Sequence, residues 1–406
     1  MKKLLFFSAI LFAFVLSSCN ESPSDKKVPI TNEQKLVVRA SNNFGLRLFR
    51  AINREEGAKN IVLSPLSVTM ALGMTVNGAA GETRDSMLKT LGMDGFTMDE
   101  LNISYRDLIS YLLNADRKVQ FELANSIWYR NNFPFKQSFF DLCKHYFNSL
   151  VSGLDFDHPN SKDIINSWVE KTTKGKIKEI VDNIEPDIVM FLINAIYFKG
   201  SWLYKFDPSK TQTGKFYLLD GSHKDCKMMK QVVYIPYLTN DILQAVDLPY
   251  GSRKFSMTIF LPKVNKNVDD LINEMTEKNY SHWISSFKDD SVIIMMPKYK
   301  VEYKVKLNEA LKNLGMSIAF RSGVADFTGM SDRGKELFID KVWHKTYINV
   351  DEEGTEAAGV TSVEIGYTSA KPTPIPFILD RPFVFVIREK ESDAIIFIGK
   401  IVDPKE

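Results

Sequence analysis

Three cysteines and five histidines in 406 residues leave little material for a disulfide scaffold or a metal centre. Cys19 stands in the leader, while Cys143 and Cys226 fall in separate segments with no spacing that requires a bridge, so both are read as unpaired. His145, His158, His223, His282 and His344 show none of the short intervals that bring two ligands onto one metal ion, and no metal or other cofactor is expected. Catalytic signatures are missing too: there is no G-x-S-x-G elbow, H-E-x-x-H, C-x-x-C, P-loop or dinucleotide-binding glycine pattern. VNGAAGE (Val76 to Glu82) carries glycines but lacks the Lys-Ser/Thr that would grip a phosphate, and it reads as a helix end followed by a turn. The expectation is a protein that is not an enzyme. An excess of one charge is also absent. With 52 basic and 50 acidic residues the net charge is +2, which argues against a general pull toward nucleic acid or an anionic membrane. The basic residues of GKIKEIV and RKVQF are scattered among acids and read as solvated faces. No Gly/Ser-rich or Pro-rich linker, repeat or low-complexity tract divides the chain, so one large domain is expected.

The N-terminus supplies the first positive signal. Lys2-Lys3 form a charged n-region, Leu4 to Leu16 an apolar h-region too short to span a bilayer comfortably, and Leu16-Ser17-Ser18-Cys19 a lipobox-like ending. Residues 1–18 are therefore read as a bacterial lipoprotein signal peptide, with Cys19 the residue that is diacylated and becomes the mature N-terminus. NESPSDKKVPITNEQ follows, polar and poor in large hydrophobes, and residues 19–38 read as a flexible tether. The expected product is exported and lipid-anchored to a bacterial membrane, at the periplasmic face or cell surface, with its folded domain over residues 39–406.

Hydrophobic periodicity predicts helices over Asn42 to Asn53, Leu66 to Val76, Glu82 to Leu91 and Leu101 to Leu113, the second opened by Ser64-Pro65 in N-cap and first-turn positions. Strand-like runs follow: FELANSIWY, VMFLINAIYFKG, LQAVDLPY, SMTIFLP, SVIIMMPKYKVEYKV, FVFVIRE and AIIFIGKIV. Helices first and antiparallel-style strands later give an α+β class.

Residues 350–360, VDEEGTEAAGV, are the most informative stretch. After Glu352-Glu353 and the permissive Gly354, small residues recur with period two. Thr355, Ala357, Gly359, Thr361, Val363 and Ile365 share one face of an extended segment, and the charges stay on the other. A fixed loop has no need of such a pattern; a segment that must become a strand does.

These residues resemble the hinge and reactive loop of the serpin family. NIVLSPLSV (Asn60 to Val68), NAIYFKGSW (Asn194 to Trp202), ADFTGMS (Ala325 to Ser331) and FIDKVWHKTYINVDEEGTEAAG (Phe338 to Gly359) resemble further serpin motifs, in the family's order. The resemblance implies helices packed around a large central sheet and two smaller sheets, with an exposed reactive loop near the C-terminus. It implies a hinge of Glu352, Glu353, Gly354, Thr355, Glu356, Ala357, Ala358 and Gly359, a cluster of Ser64, Ser67, Asn194 and His344 that controls sheet opening, and Trp202 beneath the gap where the loop enters. Taken alone, His344 would read as a satisfied structural histidine and Trp202 as packing.

The implied function is suicide-substrate inhibition of serine proteases, with cysteine proteases as a further class, by a monomer that binds no nucleic acid. The alternative is a serpin-fold binding or scaffold protein that is cleaved without trapping. Counting from the hinge glycine places the reactive bond at Thr368-Ser369, which suits elastase-like or subtilisin-like pockets. The stretch to Pro382 is longer than usual, which leaves Tyr367, suited to chymotrypsin-like enzymes, and Lys371 as alternatives. Pro372 argues against cleavage after Lys371, and KPTPIP reads as an extended spacer.

Overall fold

Helix α1 (Asn32–Glu56) opens at a capping box in which the Thr31 hydroxyl accepts from the Gln34 N–H at 3.2 Å and the Gln34 side chain accepts from the Thr31 N–H at 2.9 Å. The computed structural model describes residues 30–355 and 373–405. α1 begins well before Asn42, and residues 32–38, expected in the tether, are helical with Gln34, Val37 and Val38 buried. The polar composition that suggested a tether there belongs to the exposed side of the first turns. Strand β1 (Ile61–Leu63) leads into α2 (Pro65–Gly78), capped by Ser64 and buried on nearly every side, then α3 (Gly81–Leu91) and α4 (Met98–Leu113).

The chain continues through β2 (Val119–Arg130), α5 (Gln137–Phe147), β3 (Ser149–Leu154), α6 (Ser161–Thr172), β4 (Met190–Ser201), β5 (Gln212–Tyr217), β6 (His223–Thr239), β7 (Leu243–Pro249) and β8 (Phe255–Pro262). It ends with α7 (Val268–Glu274), α8 (Glu277–Ser285), β9 (Lys288–Pro297), β10 (Tyr299–Lys306), α9 (Asn308–Leu311), β11 (Trp343–Val350), β12 (Gly354–Thr355), β13 (Ile375–Ile378), β14 (Phe383–Glu389) and β15 (Ile395–Ile401). Each expected strand run is extended, but SVIIMMPKYKVEYKV breaks at Lys298 into β9 and β10, which join different sheets. β6 was not foreseen, because lysines and Pro236 interrupt its alternation.

Two sheets result. One has the order β10-β11-β12-β4-β2-β3, and the other runs β1-β15-β14-β8-β7-β6-β9-β13 with β5 paired to β6. The long strand β6 pairs with β9 and, at its end, with β7, which joins the two smaller sheets implied by the resemblance into one nine-stranded path. The six-stranded sheet is covered on both faces. α2 packs against β4 from below, while Ile165 and Val169 of α6 meet Trp128 and Ile193 from above.

Candidate functional site

The described part of the expected hinge, Glu352 to Thr355, stands at the head of a slot in the six-stranded sheet. Thr355 of β12 pairs with Val350 of β11 on one side and with Gly200 of β4 on the other, and Gly354 pairs with Ser201. Beyond these residues no pairing joins β11 to β4 among the described residues. A cavity of about 620 Å³ lies along the same line, walled by β4 and by Trp343 to Lys345 of β11, with Ser67, Ala71 and Thr75 of α2 lining it.

The turn into β12 is held tightly. The Asp351 carboxylate accepts from the N–H groups of Glu353 at 2.9 Å and Gly354 at 3.2 Å. Burial pushes this carboxyl above the usual range, against the pull of those two donors. Gly354 adopts φ +153°, and a Cβ there would lie 2.1 Å from the Gly200 carbonyl oxygen, so only glycine fits. Buried Glu352 accepts from the Thr211 hydroxyl at 2.7 Å and pairs with Lys298 at 2.9 Å. Burial alone would raise its carboxyl, but the Lys298 and Thr211 hydrogen bonds outweigh it and hold it below the ordinary range. Glu353 pairs with Lys205 at 2.6 Å.

Trp202, 3% exposed, follows the last residue of β4. Its indole N–H donates to the Asp351 carbonyl at 2.9 Å, and its ring stacks on Tyr250 at 4.5 Å with planes 12° apart. The Tyr250 hydroxyl in turn lies 2.5 Å from the Thr355 hydroxyl. Trp202 thus shapes the floor on which the first hinge side chain rests. It has no acid, base or nucleophile to offer.

Midway along the slot the four expected polar residues come together. The Ser64 N–H donates to Nε2 of His344 at 2.9 Å, which requires that nitrogen to be unprotonated, and burial pushes the imidazole down to about 4. The Ser64 hydroxyl caps α2 by accepting from the Ser67 N–H at 3.3 Å, and the Ser67 hydroxyl reaches the Asn194 carbonyl at 3.5 Å. The Asn194 amide donates to Asn125 Oδ1 at 2.7 Å, while Asn194 Oδ1 is buried without a partner among the described residues. Asn125 was missed by sequence reasoning. Its signal was present, since it occupies the inward register of β2 with Leu123 and Ile127. Tyr250, Lys205, Lys298 and Thr211 were missed as well, because nothing local to the hinge names partners that far away in the chain.

Glu356, Ala357, Ala358 and Gly359 of the hinge, the reactive-bond candidates Tyr367, Thr368, Ser369 and Lys371, and Cys19 lie outside the described residues. Cys143 and Cys226 are both buried, and burial raises the Cys143 thiol to about 12. Among the described residues no group of three His, Cys, Asp or Glu is placed to hold a metal ion.

Comparison with known proteins agrees with this geometry. Iripin-2 of Ixodes ricinus is 31% identical over 376 residues, covering 91% of this chain and 94% of its own. Intracellular coagulation inhibitor 2 of Tachypleus tridentatus is 33% identical over 369 residues, with 89% and 90% covered. Among solved structures, the thermophilic serpin tengpin in its native state superposes with a TM-score of 0.82 at 32% identity, over 91% of this chain and 94% of that one. Human thyroxine-binding globulin gives 0.84 at 27% identity, over 92% and 100%. A family model described as serpin (serine protease inhibitor) matches residues 39–404, and the chain belongs to that family.

Proposed function

We propose that this serpin is an inhibitory, bacterial lipoprotein-type member that traps serine proteases, and cysteine proteases as a further class, outside the cytoplasm. The observation that carries the reading is the hinge itself. Gly354-Thr355 already pairs as a strand between β11 and β4, at the head of a slot whose floor is a cavity. The protease nucleophile would attack the carbonyl carbon of Thr368, the peptide bond to Ser369 would break with the Ser369 amine leaving, and an acyl-enzyme would remain. Insertion of the cleaved loop then competes with hydrolysis of that ester. Thr355, Ala357, Ala358 and Gly359 put no bulky or charged group on the face that enters first, which favours insertion. Strand addition to a sheet and release of stored strain are the two general devices involved, and loop insertion in serpins is a standard example of each.

Membrane attachment rests on LSSC at residues 16–19, through an acyl chain on Cys19. Among the described residues no helix is long and apolar enough to cross a membrane. The Cys19→Ala protein is expected to leave the detergent phase on phase partition with its inhibition unchanged, and an unaltered distribution would sink the lipidation assignment.

Incubation with elastase, subtilisin and chymotrypsin tests the inhibitory reading. An SDS-stable adduct with at least one enzyme is expected, with the new terminus mapped by mass spectrometry to Ser369. Thyroxine-binding globulin is a serpin named for a ligand it carries, so cleavage of every loop without adduct would replace inhibition with a binding role.

A further inference from the structure

Three arginines recur at Arg47, Arg50 and Arg54 along α1, a spacing that lines them up on one face of the helix. They border a second cavity, of about 400 Å³, closed on its far side by Asn313 and Leu314 of the short helical turn Lys312–Met316, with Ala51 between them and Glu55 at the rim. None of the three makes an ion pair among the described residues, although most other described arginines do. Arg47 donates through Nη2 to the Thr90 carbonyl at 2.5 Å, but its Nε is buried with no partner among the described residues. Burial, and then each neighbour's charge, push Arg47 and Arg50 below the ordinary arginine value: Arg47 is set against Arg50, and Arg50 against Arg54. Half-buried like charges left without a counter-ion cost free energy, and so does an unsatisfied buried donor.

We infer that this pocket, between α1 and the Lys312–Met316 turn, binds the phosphate group of a phosphomonoester. A carboxylate offers two oxygens. A phosphate offers at least three acceptors in a tetrahedron, enough to meet three guanidinium forks at once. The cavity exceeds the needs of one ion, which leaves room for the alcohol part of the ester. Among the lining residues one carboxylate, Glu55, stands against three guanidinium groups, with Glu309 and Glu56 close to that carboxylate. The inference does not depend on the loop mechanism and uses none of its residues. Two sources share this chemistry, a soluble sugar or glycerol phosphate and a phosphatidic-acid-type headgroup.

Isothermal titration of the full chain against glycerol 3-phosphate and against water-soluble dihexanoyl phosphatidic acid tests the site. Saturable binding at millimolar concentration or below is expected for at least one of them, weakened about tenfold or more in the Arg50→Ala/Arg54→Ala double variant. Equal affinity for both assigns a soluble phosphomonoester, and preference for phosphatidic acid assigns a headgroup. Should the double variant fold poorly, Arg54→Glu alone, at an exposed position, is expected to abolish binding by charge reversal. No saturable heat with either ligand, or undiminished binding in a folded variant, overturns the inference.

Discussion

Thr355→Arg is the sharpest perturbation of the proposed mechanism. Thr355 is 3% exposed, paired on both edges, and within 2.5 Å of the Tyr250 hydroxyl. Replacing it leaves that fully buried phenol without its partner, at about 1–3 kcal/mol. It also puts a guanidinium beneath the sheet, where an unpaired charge costs several kcal/mol even after relaxation, so the intact variant is expected to withdraw residue 355 from between β11 and β4 and to meet that cost on insertion. Taking about 4 kcal/mol for the two together, and half of that at the transition state for insertion, the barrier rises by about 2 kcal/mol, and the race shifts about 30-fold toward deacylation. The loop beyond the hinge is unaltered, so attack at the reactive bond is expected to proceed at the wild-type rate. Titration of a susceptible protease, followed on denaturing gels, should therefore show the variant cleaved at the same bond with little adduct. Thr355→Ser keeps the hydroxyl and is expected to behave as wild type. If Thr355→Arg forms adduct as fully as wild type, entry of the hinge into the sheet is not part of the mechanism.

Lys298→Ala strands the Glu352 carboxylate in a buried position, whereas Glu352→Gln keeps the Thr211 bond. The lysine variant is thus expected to lose more stability, by about 1–3 kcal/mol, and equal losses in denaturant melts would refute the pairing. Because the folded Glu352 value is depressed, its contribution is present above the ordinary carboxylate range and is lost as pH falls through the folded value. For His344 the folded value, about 4, lies below the free value of 6.5, so the unfolded chain binds the extra proton and stability drops as pH falls from 6.5 toward 4, by about 3 kcal/mol in all. His344→Gln should flatten the melting temperature over that window, and a slope equal to wild type would remove His344 as its source.

What could be read from the chain followed from how locally each signal is encoded. The Ser64-Pro65 start and the period-two strands are patterns within a dozen residues, and both appear as expected, while Gly354-Thr355 is a short strand. The failures are of two kinds. Residues 32–38 looked like tether because a polar composition is shared by linkers and by the wet side of an amphipathic helix, and only the Thr31/Gln34 box distinguishes them. The partners of the hinge, Lys298, Lys205, Thr211 and Tyr250, lie far from it in sequence, and no local rule brings a lysine that follows a strand in the nine-stranded sheet to a glutamate that follows β11. Joining of the two smaller sheets is likewise a property of one strand with partners on two sides, which alternation alone does not encode.

The register of β12 carries one argument further. Thr355 lies opposite Gly200 on β4 and Val350 on β11, and both pairings are antiparallel. Each advance along the loop therefore retreats equally along both neighbours. Thr361, six residues on, would fall opposite Asn194, six before Gly200, and opposite His344, six before Val350. Thr361 also belongs to the face that Thr355 turns inward, toward α2. There it would meet Asn194 Oδ1, the buried acceptor that lacks a partner among the described residues. A threonine hydroxyl donates where a valine of the same shape cannot, and one such bond contributes about 0.5–1.5 kcal/mol. Thr361→Val is therefore expected to leave the intact protein's denaturation midpoint unchanged and to lower that of the loop-cleaved protein by an amount equivalent to about 1 kcal/mol. Asn194→Leu frees Asn125 Oδ1 in intact and cleaved protein alike, so in that background Thr361→Val should lower the cleaved protein's midpoint no further than the intact one's. A cleaved Thr361→Val protein as stable as cleaved wild type would mean that the loop enters in a different register, or not at all.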